Sequence, residues 1–158
     1  MISTVVIGID PGSRATGWGV VRLEGRDLVL VACGVIRLDK DQDLAGRMMT
    51  LAERLGEIME EHAPAQAAVE DVFVSRNARA ALKLGQARGA ALAAVASTRI
   101  PVASYAPTMV KRAVTGSGRA DKAQVQRMVQ AMLVMDRPPA QDAADALAVA
   151  ICHARSLR

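Results

Sequence analysis

Two apolar segments of the chain each end at a carboxylate, and this pattern limits the possible fold more than any other feature. The segment STVVIGID ends at Asp10 and AQAAVE ends at Glu70, so each predicts a buried strand with an acid at its end. Further along, Asp142 and Asp145 are three residues apart in PPAQDAADALAVAICHA, which places both on one face of a helix beside its apolar residues. We therefore expect a helix to bring two acids to the strand ends.

A group of carboxylates of this kind needs cations. At a separation of ~4 Å each pair repels by about 1 to 4 kcal/mol for effective dielectric constants of ~80 to 20. Hard oxygen ligands without clustered Cys or His favour Mg²⁺ or Mn²⁺ over Zn²⁺, and such sites commonly use two ions to bind a phosphoryl group. The sequence thus predicts phosphodiester hydrolysis. The structural alternative is that these acids are turn, cap or solvated residues, but the alanines around Asp142 and Asp145 favour the metal site.

The remaining surface is basic. Among 158 residues there are 20 Lys and Arg and 16 Asp and Glu, and without the four acids above the remainder has a charge of +8. Such a surface favours a polyanionic partner, and nucleic acid is the obvious candidate.

Composition predicts one globular domain over residues 1–158, because 51% of the residues are hydrophobic and no Pro/Ser-rich linker divides the chain. The start MISTVVIGID lacks a secretion signal and no apolar run approaches ~18 residues, so we expect a cytoplasmic protein. Cys33 and Cys152 lie among apolar residues and are expected to be small core residues, without a disulfide or nucleophilic role.

Hydrophobic periodicity predicts the element order βββαβαβααα. The expected strands are 3–10, 16–25, 26–38, 65–73 and 100–105, and the expected helices are 43–62, 77–98, 106–114, 121–133 and 141–154. The first three strands form a meander. This order indicates an α/β protein with a five-stranded mixed sheet flanked by helices.

These motifs together resemble the RuvC family of bacterial Holliday-junction resolvases over essentially the whole chain. The similarity lies in GIDPGSRATGWGV, VEDVF, SRNARAALKLGQARG, PTMVKR, GSGRADKAQV and QDAADALAVAI, in that order. It implies an RNase H-like fold, whose active site is formed by carboxylates on adjacent strand ends and a C-terminal helix. The metal-binding catalytic acids would then be Asp10, Glu70, Asp142 and Asp145, although some family members have His at the position of Asp142.

The resemblance also implies the reaction, which is resolution of Holliday junctions in homologous recombination and DNA repair by paired nicks on symmetry-related strands. In a two-metal scheme one ion activates a water for in-line attack and the other stabilises the leaving 3′-oxygen, which leaves ends that can be ligated. Asp10 is expected to bridge both ions, because it ends the central strand.

Two groups of basic residues are candidates for binding phosphates. They lie at the start of the helix 77–98 and around the loop TGSGRADK, and they are Arg76, Arg79, Lys83, Lys111, Arg112, Arg119 and Lys122. The loop is not a P-loop, because GxxxxGK[ST] is absent. The resemblance links Lys111 and Lys122 to DNA handling and catalysis, whereas from the residues alone either is as readily a solvated surface lysine.

Phe73 follows Glu70 closely and precedes the first basic group. Core packing is the default interpretation, but the resemblance implies that Phe73 stacks on or wedges a base near the crossover. Trp18 and Tyr105 are expected to be structural, since both lie in predicted strands.

Gly85 and Gly89 are four residues apart in ALKLGQARGAALAAVAS, so one face of this helix allows close backbone approach. Packing on the chain's own sheet is the common use of such a face. The resemblance instead implies a homodimer interface, which suits a four-way junction because it provides two symmetry-related active sites. The family further implies association with the RuvA–RuvB branch-migration complex.

Two other classes of protein remain possible from the sequence. An actin-like ATP-binding domain has a comparable strand-GIDPGS-strand segment, but such proteins need two domains and this chain has room for one. A non-catalytic junction-binding protein explains the basic surface and leaves the four acids without a purpose. ATP binding tests the first class and metal-dependent cleavage tests the second.

Overall fold

A five-stranded mixed sheet forms the centre of the molecule. The computed structural model describes residues 3–71 and 76–158. The strands are β1 (Ser3–Asp10), β2 (Ala15–Glu24), β3 (Asp27–Arg37), β4 (Gln66–Glu70) and β5 (Val102–Tyr105). Their order across the sheet is β3-β2-β1-β4-β5, with the meander β1 to β3 antiparallel and β1, β4 and β5 parallel. The predicted mixed sheet is confirmed, and β1 is its central strand.

Over the two described ranges, five helices complete the element order βββαβαβααα, as predicted. They are α1 (Leu44–His62), α2 (Ala78–Ala96), α3 (Pro107–Thr115), α4 (Lys122–Met132) and α5 (Gln141–Ser156). Three of them begin at side-chain caps, with Asp43, Asn77 and Asp121 each accepting a hydrogen bond from a backbone N–H three residues later. The strand predicted over 65–73 ends earlier, at Glu70. None of the helices in the described ranges is long and apolar enough to cross a membrane.

The sheet has a hydrophobic core on each face. Along β1 the side chains alternate, so Ile7 and Ile9 pack with α1 and α2 while Val6 packs with α3, α4 and α5. Cys152 is a buried core residue, as predicted, whereas Cys33 is only half-buried against the same core; both are free thiols.

The helix α5 lies unusually close to the sheet because glycines face it. A Cβ atom at Gly8 would lie 2.1 Å from the Ala146 carbonyl oxygen, and one at Gly17 would lie 1.9 Å from that of Asp142. These strands therefore allow backbone-to-backbone contact that any side chain would prevent. The consequence is that the first turns of α5 lie beside the end of β1.

Candidate active site

Three of the four predicted acids form a tight cluster at this point. Asp10 ends β1, and Asp142 and Asp145 lie in the first two turns of α5. One carboxylate oxygen from each lies within 4.8 Å of the other two, and all three residues are partly buried. The helical spacing of three residues thus places both α5 acids toward Asp10.

Glu70 belongs to the same site but lies at its side. It ends β4, which pairs in parallel with β1, and the pair Ile9 and Val69 places the two strand ends next to each other. Glu70 lines the same open pocket, of about 210 Å³, as the other three acids. The structure therefore brings all four sequence-predicted acids together, on adjacent strand ends and one helix.

The walls of this pocket are partly apolar, and sequence reasoning did not identify them. Pro107 and Val110 come from α3, Val125 from α4 and Ala148 from α5. Helical periodicity indicates that such residues are buried, but it does not indicate which buried residues border a site. These walls remove water from one side of the carboxylates.

Burial makes the charged state of the acids unfavourable. The pKa of Asp10 is raised from 3.8 to about 7, first by burial and then by the negative charges of Asp145, Glu70 and Asp142, while Lys122 acts in the opposite direction. Burial is also the main reason that the pKa values of Glu70 and Asp145 are raised. The ionised carboxylates are unfavourable without a counter-ion. Their oxygen atoms fit a hard divalent cation, which would stabilise the negative charges of all of them.

Two lysines from the predicted basic group line the pocket. Lys122 is the first residue of α4, and its Nζ lies 3.6 Å from Oδ2 of Asp145. Lys111 projects from α3, and both lysines lower the pKa of Glu70. The Lys122 side chain is 69% exposed, so the ion pair itself adds little stability, on the order of 1 kcal/mol or less.

The other candidate DNA-binding residues do not line the pocket. Arg112 on α3 and Arg119 in the α3–α4 turn are exposed, as are Arg79 and Lys83 on the first two turns of α2. Arg76 is also exposed, but α2 begins at Ala78 and Arg76 precedes the cap residue. Phe73 lies outside the described residues.

Gly85 and Gly89 lie on the open face of α2. Both are exposed, and a Cβ atom at either position would meet no atom of the described residues within 4 Å. The interpretation that these glycines pack on the chain's own sheet is therefore wrong. The buried face of α2 consists of other small residues, Ala87, Ala91 and Val95.

The two predicted structural aromatic residues pack inside the fold. Trp18 packs against the core on the α1 side, with its ring centroid 5.7 Å from that of His62. The Tyr105 hydroxyl lies 2.7 Å from Nδ1 of the buried His153, whose Nε2 lies 2.5 Å from the Gln66 side-chain oxygen. The neutral Nε2–H tautomer satisfies both contacts, in agreement with a His153 pKa that burial lowers.

Comparison with known proteins agrees with this architecture. The sequence model described as "Crossover junction endodeoxyribonuclease RuvC" matches residues 6–153. A Halorhodospira halophila protein of that name is 54% identical over 151 residues, which cover 96% of this chain and 90% of that protein. A Shewanella amazonensis protein of the same name is 50% identical, covering 94% of this chain and 86% of its own length.

The fold agrees as well. The structure titled "T. thermophilus RuvC in complex with Holliday junction substrate" has a TM-score of 0.93 and 36% sequence identity, and the match covers 98% of this chain and 95% of that one. This confirms the RNase H-like fold that the resemblance implied. On the family match over residues 6–153 and on these relatives, the chain belongs to the RuvC family of crossover junction endodeoxyribonucleases.

Proposed function

We propose that this protein is a metal-dependent endonuclease that resolves Holliday junctions by paired nicks, in homologous recombination and DNA repair. The observation that supports this most directly is the convergence of four acids from β1, β4 and α5 in one pocket, in a chain whose family consists of junction endonucleases. The T. thermophilus relative was solved with a Holliday junction, which supports the same substrate here.

The proposed metal ligands and catalytic acids are Asp10, Glu70, Asp142 and Asp145. Their oxygen atoms, buried position and raised pKa values fit Mg²⁺ or Mn²⁺, and we propose two ions per site. When bound, the ions supply activation of the attacking water and stabilisation of the charge that develops on the phosphoryl group. The protein holds the four carboxylates in place and shields them from bulk water on the side of α3 and α4.

The lysines of the pocket would contact the DNA backbone. Lys122 holds Asp145 at 3.6 Å and still has ammonium N–H donors for a phosphate oxygen. Lys111 adds a second positive charge beside Glu70. Outside the pocket we propose that the exposed basic residues bind the phosphates of the junction arms, and these are Arg76, Arg79, Lys83, Arg112 and Arg119.

We also propose that the whole chain is a single nuclease domain that acts as a homodimer in the cytoplasm. The open face of α2 at Gly85 and Gly89 supports a partner helix there. Two-fold symmetry would place two active sites on opposite strands of a four-way junction. Association with RuvA and RuvB is proposed from family membership alone.

The test is cleavage of a mobile four-way junction and of a linear duplex of the same sequence, with Mg²⁺, Mn²⁺ or EDTA. We expect paired nicks in the junction only when metal is present, and loss of cleavage in Asp10→Asn. The matched control is Asp41→Asn, because Asp41 is an exposed acid before α1. This variant should cleave the junction normally. Tight junction binding without cleavage in either metal would instead favour a non-catalytic junction-binding protein.

A further inference from the structure

Arg88 connects α2 to the end of the strand that presents Glu70. Its Nη2 atom lies 3.2 Å from Oδ1 of Asp71 and 3.1 Å from Oγ of Ser104, and its Nε atom lies 3.5 Å from the backbone carbonyl oxygen of Glu70. The side chain is only 21% exposed and lies outside the wall of the active-site pocket. Arg88 lies within the segment SRNARAALKLGQARG, but the sequence analysis predicted no role for it.

We propose that Arg88 is a positioning residue for Glu70, which fixes the end of β4 so that the Glu70 carboxylate stays at the metal-binding site. This rests on the proposed function of the four acids. Arg88 itself does not reach the pocket, so it acts through the backbone of Glu70 and through the next residue, Asp71.

The need for such a residue follows from the way β4 ends. Glu70 is the last residue of the strand, and the Asp71 N–H donates a backbone hydrogen bond to the Tyr105 carbonyl at 2.8 Å, the last such bond of this segment among residues 3–71. Asp10 ends the eight-residue central strand and the α5 acids lie on a largely buried helix, whereas Glu70 ends a strand of only five residues. Arg88 contacts the Glu70 carbonyl oxygen and the Asp71 side chain, so it restricts the orientation of the peptide between these two residues.

The guanidinium group is suited to this arrangement. Its planar fork of N–H donors binds three oxygen acceptors at fixed relative positions, and an ammonium group has no such geometry. The ion pair with Asp71 is partly exposed, since the Asp71 side chain is 50% accessible, and pairs of this kind contribute little to stability. Loss of Arg88 is therefore expected to affect the position of Glu70 more than the folding of the protein.

The experiment compares Arg88→Lys and Arg88→Gln with wild type. The matched control is Arg54→Lys, an exposed arginine of α1 that pairs with Glu57. Three quantities are measured: Mn²⁺ affinity of the DNA-free protein, from loss of the free-ion EPR signal; junction affinity in EDTA; and the single-turnover cleavage rate. Thermal melts in EDTA check that each variant is folded.

We expect Mn²⁺ affinity to fall at least fivefold and cleavage at least tenfold in both Arg88 variants, while junction affinity stays within twofold and Arg54→Lys behaves as wild type. Unchanged Mn²⁺ affinity in Arg88→Lys would overturn the proposal. A loss of junction affinity as large as the loss of cleavage would also overturn it, because Arg88 would then act on DNA binding.

Failure of the proposed function has a different signature. If the wild-type protein binds Mn²⁺ but cleaves no junction, the nuclease assignment fails, and the Mn²⁺ titration still decides the role of Arg88. If Arg88→Gln does not fold, the conservative Arg88→Lys variant, which keeps the charge and most of the length of the side chain, provides the same comparison.

Discussion

Among the four acids, Asp10 is the one whose ionisation burial and the neighbouring negative charges make most unfavourable. Its pKa of about 7 in the folded chain contrasts with the ordinary value of 3.8. Between these two pH values the folded state keeps a proton that the unfolded state has lost. The contribution of Asp10 to the stability of the metal-free protein therefore falls as pH rises from about 4 to 7, and its cost is fully present above pH 7.

Asp10→Asn should consequently raise the melting temperature of the metal-free protein at pH 8, by several degrees. The gain should shrink as pH falls below 7 and disappear near pH 4, because the wild-type carboxyl is then neutral in both states. Added Mg²⁺ should raise the melting temperature of wild type at pH 8 and have less effect on the variant. Thermal melts from pH 4 to 8, with EDTA or Mg²⁺, measure this, and a variant that melts at or below wild type at pH 8 would contradict it.

Val134 has a strained backbone conformation and does not line the pocket of the four acids. It follows α4 with φ of +51°, in the left-handed region, and its side chain is 87% exposed. This conformation costs an L-residue roughly 1–2 kcal/mol, and a β-branched side chain adapts to it poorly. Asn tolerates it much better.

We therefore predict that Val134→Asn stabilises the protein by about 1 kcal/mol, which corresponds to roughly 2–4 °C in melting temperature for a chain of this size. Val31→Asn is the matched control. Val31 is also an exposed valine, but it is not one of the described residues with a positive φ. Thermal denaturation of both variants measures the difference. Equal effects of the two substitutions would show that apolar exposure matters and backbone strain does not.

At the scale of secondary structure, contact between α5 and the sheet determines where two of the acids lie. Gly17 pairs with Asp10 across β1 and β2, and it has no side chain where the Asp142 carbonyl passes. That carbonyl is backbone, so no change of rotamer can relieve a clash there. The active site thus depends on a residue that carries no functional group.

Gly17→Ala should displace the start of α5. We expect a destabilisation of about 1–3 kcal/mol, typical of overpacking, and a loss of junction cleavage of at least a hundredfold, because Asp142 moves relative to Asp10. Gly56→Ala is the control: Gly56 lies in α1, and no atom in the described part of the chain lies within 4 Å of an added Cβ atom. This change should stabilise the protein by about 0.5–1 kcal/mol and leave cleavage intact. Near-normal cleavage by a folded Gly17→Ala protein would contradict the prediction.

These contacts explain which parts of the site could be predicted from sequence. Strand ends at Asp10 and Glu70 are visible as apolar runs that stop at an acid, and the three-residue spacing of Asp142 and Asp145 indicates one helical face. The contacts of Arg88 join residues 16 to 18 positions apart in the chain, and no local pattern reports them. The structure alone provides this part.

The sequence of α2 also could not show which of its faces packs on the sheet. Small residues occur on both of its faces, with Ala87 and Ala91 buried and Gly85 and Gly89 exposed. Periodicity distinguishes apolar from polar faces, but it does not distinguish two faces that are both small. Which of them packs on the chain was therefore decided by tertiary structure.

On the scale of the whole molecule, the outer face of α2 exposes apolar and small residues that no contact within one chain explains among the described residues. Leu82 is 64% exposed on this face, and the neighbouring glycines leave room for the backbone of another helix. A large apolar side chain beside glycines is typical of a helix-packing surface. This supports the proposed homodimer.

We predict that the wild-type protein sediments at twice its 16.7 kDa chain mass at micromolar concentration and that Leu82→Glu shifts it toward monomer. A buried glutamate in the apolar centre of such an interface would lose its hydration without a partner, so association should weaken by two orders of magnitude or more. Met49→Glu is the control, because Met49 has a similar exposure, 62%, but lies on a different helix, α1. It should remain dimeric.

The two variants should also differ in the pattern of cleavage. A dimer holds its two active sites on one junction, so a second nick follows the first before the complex dissociates. Leu82→Glu should therefore produce single nicks and lose paired ones, while Met49→Glu keeps the paired pattern, as measured on a supercoiled plasmid that extrudes a cruciform. A wild-type monomer, or paired nicks from a monomeric Leu82→Glu protein, would show that the two cuts do not depend on a dimer formed through α2.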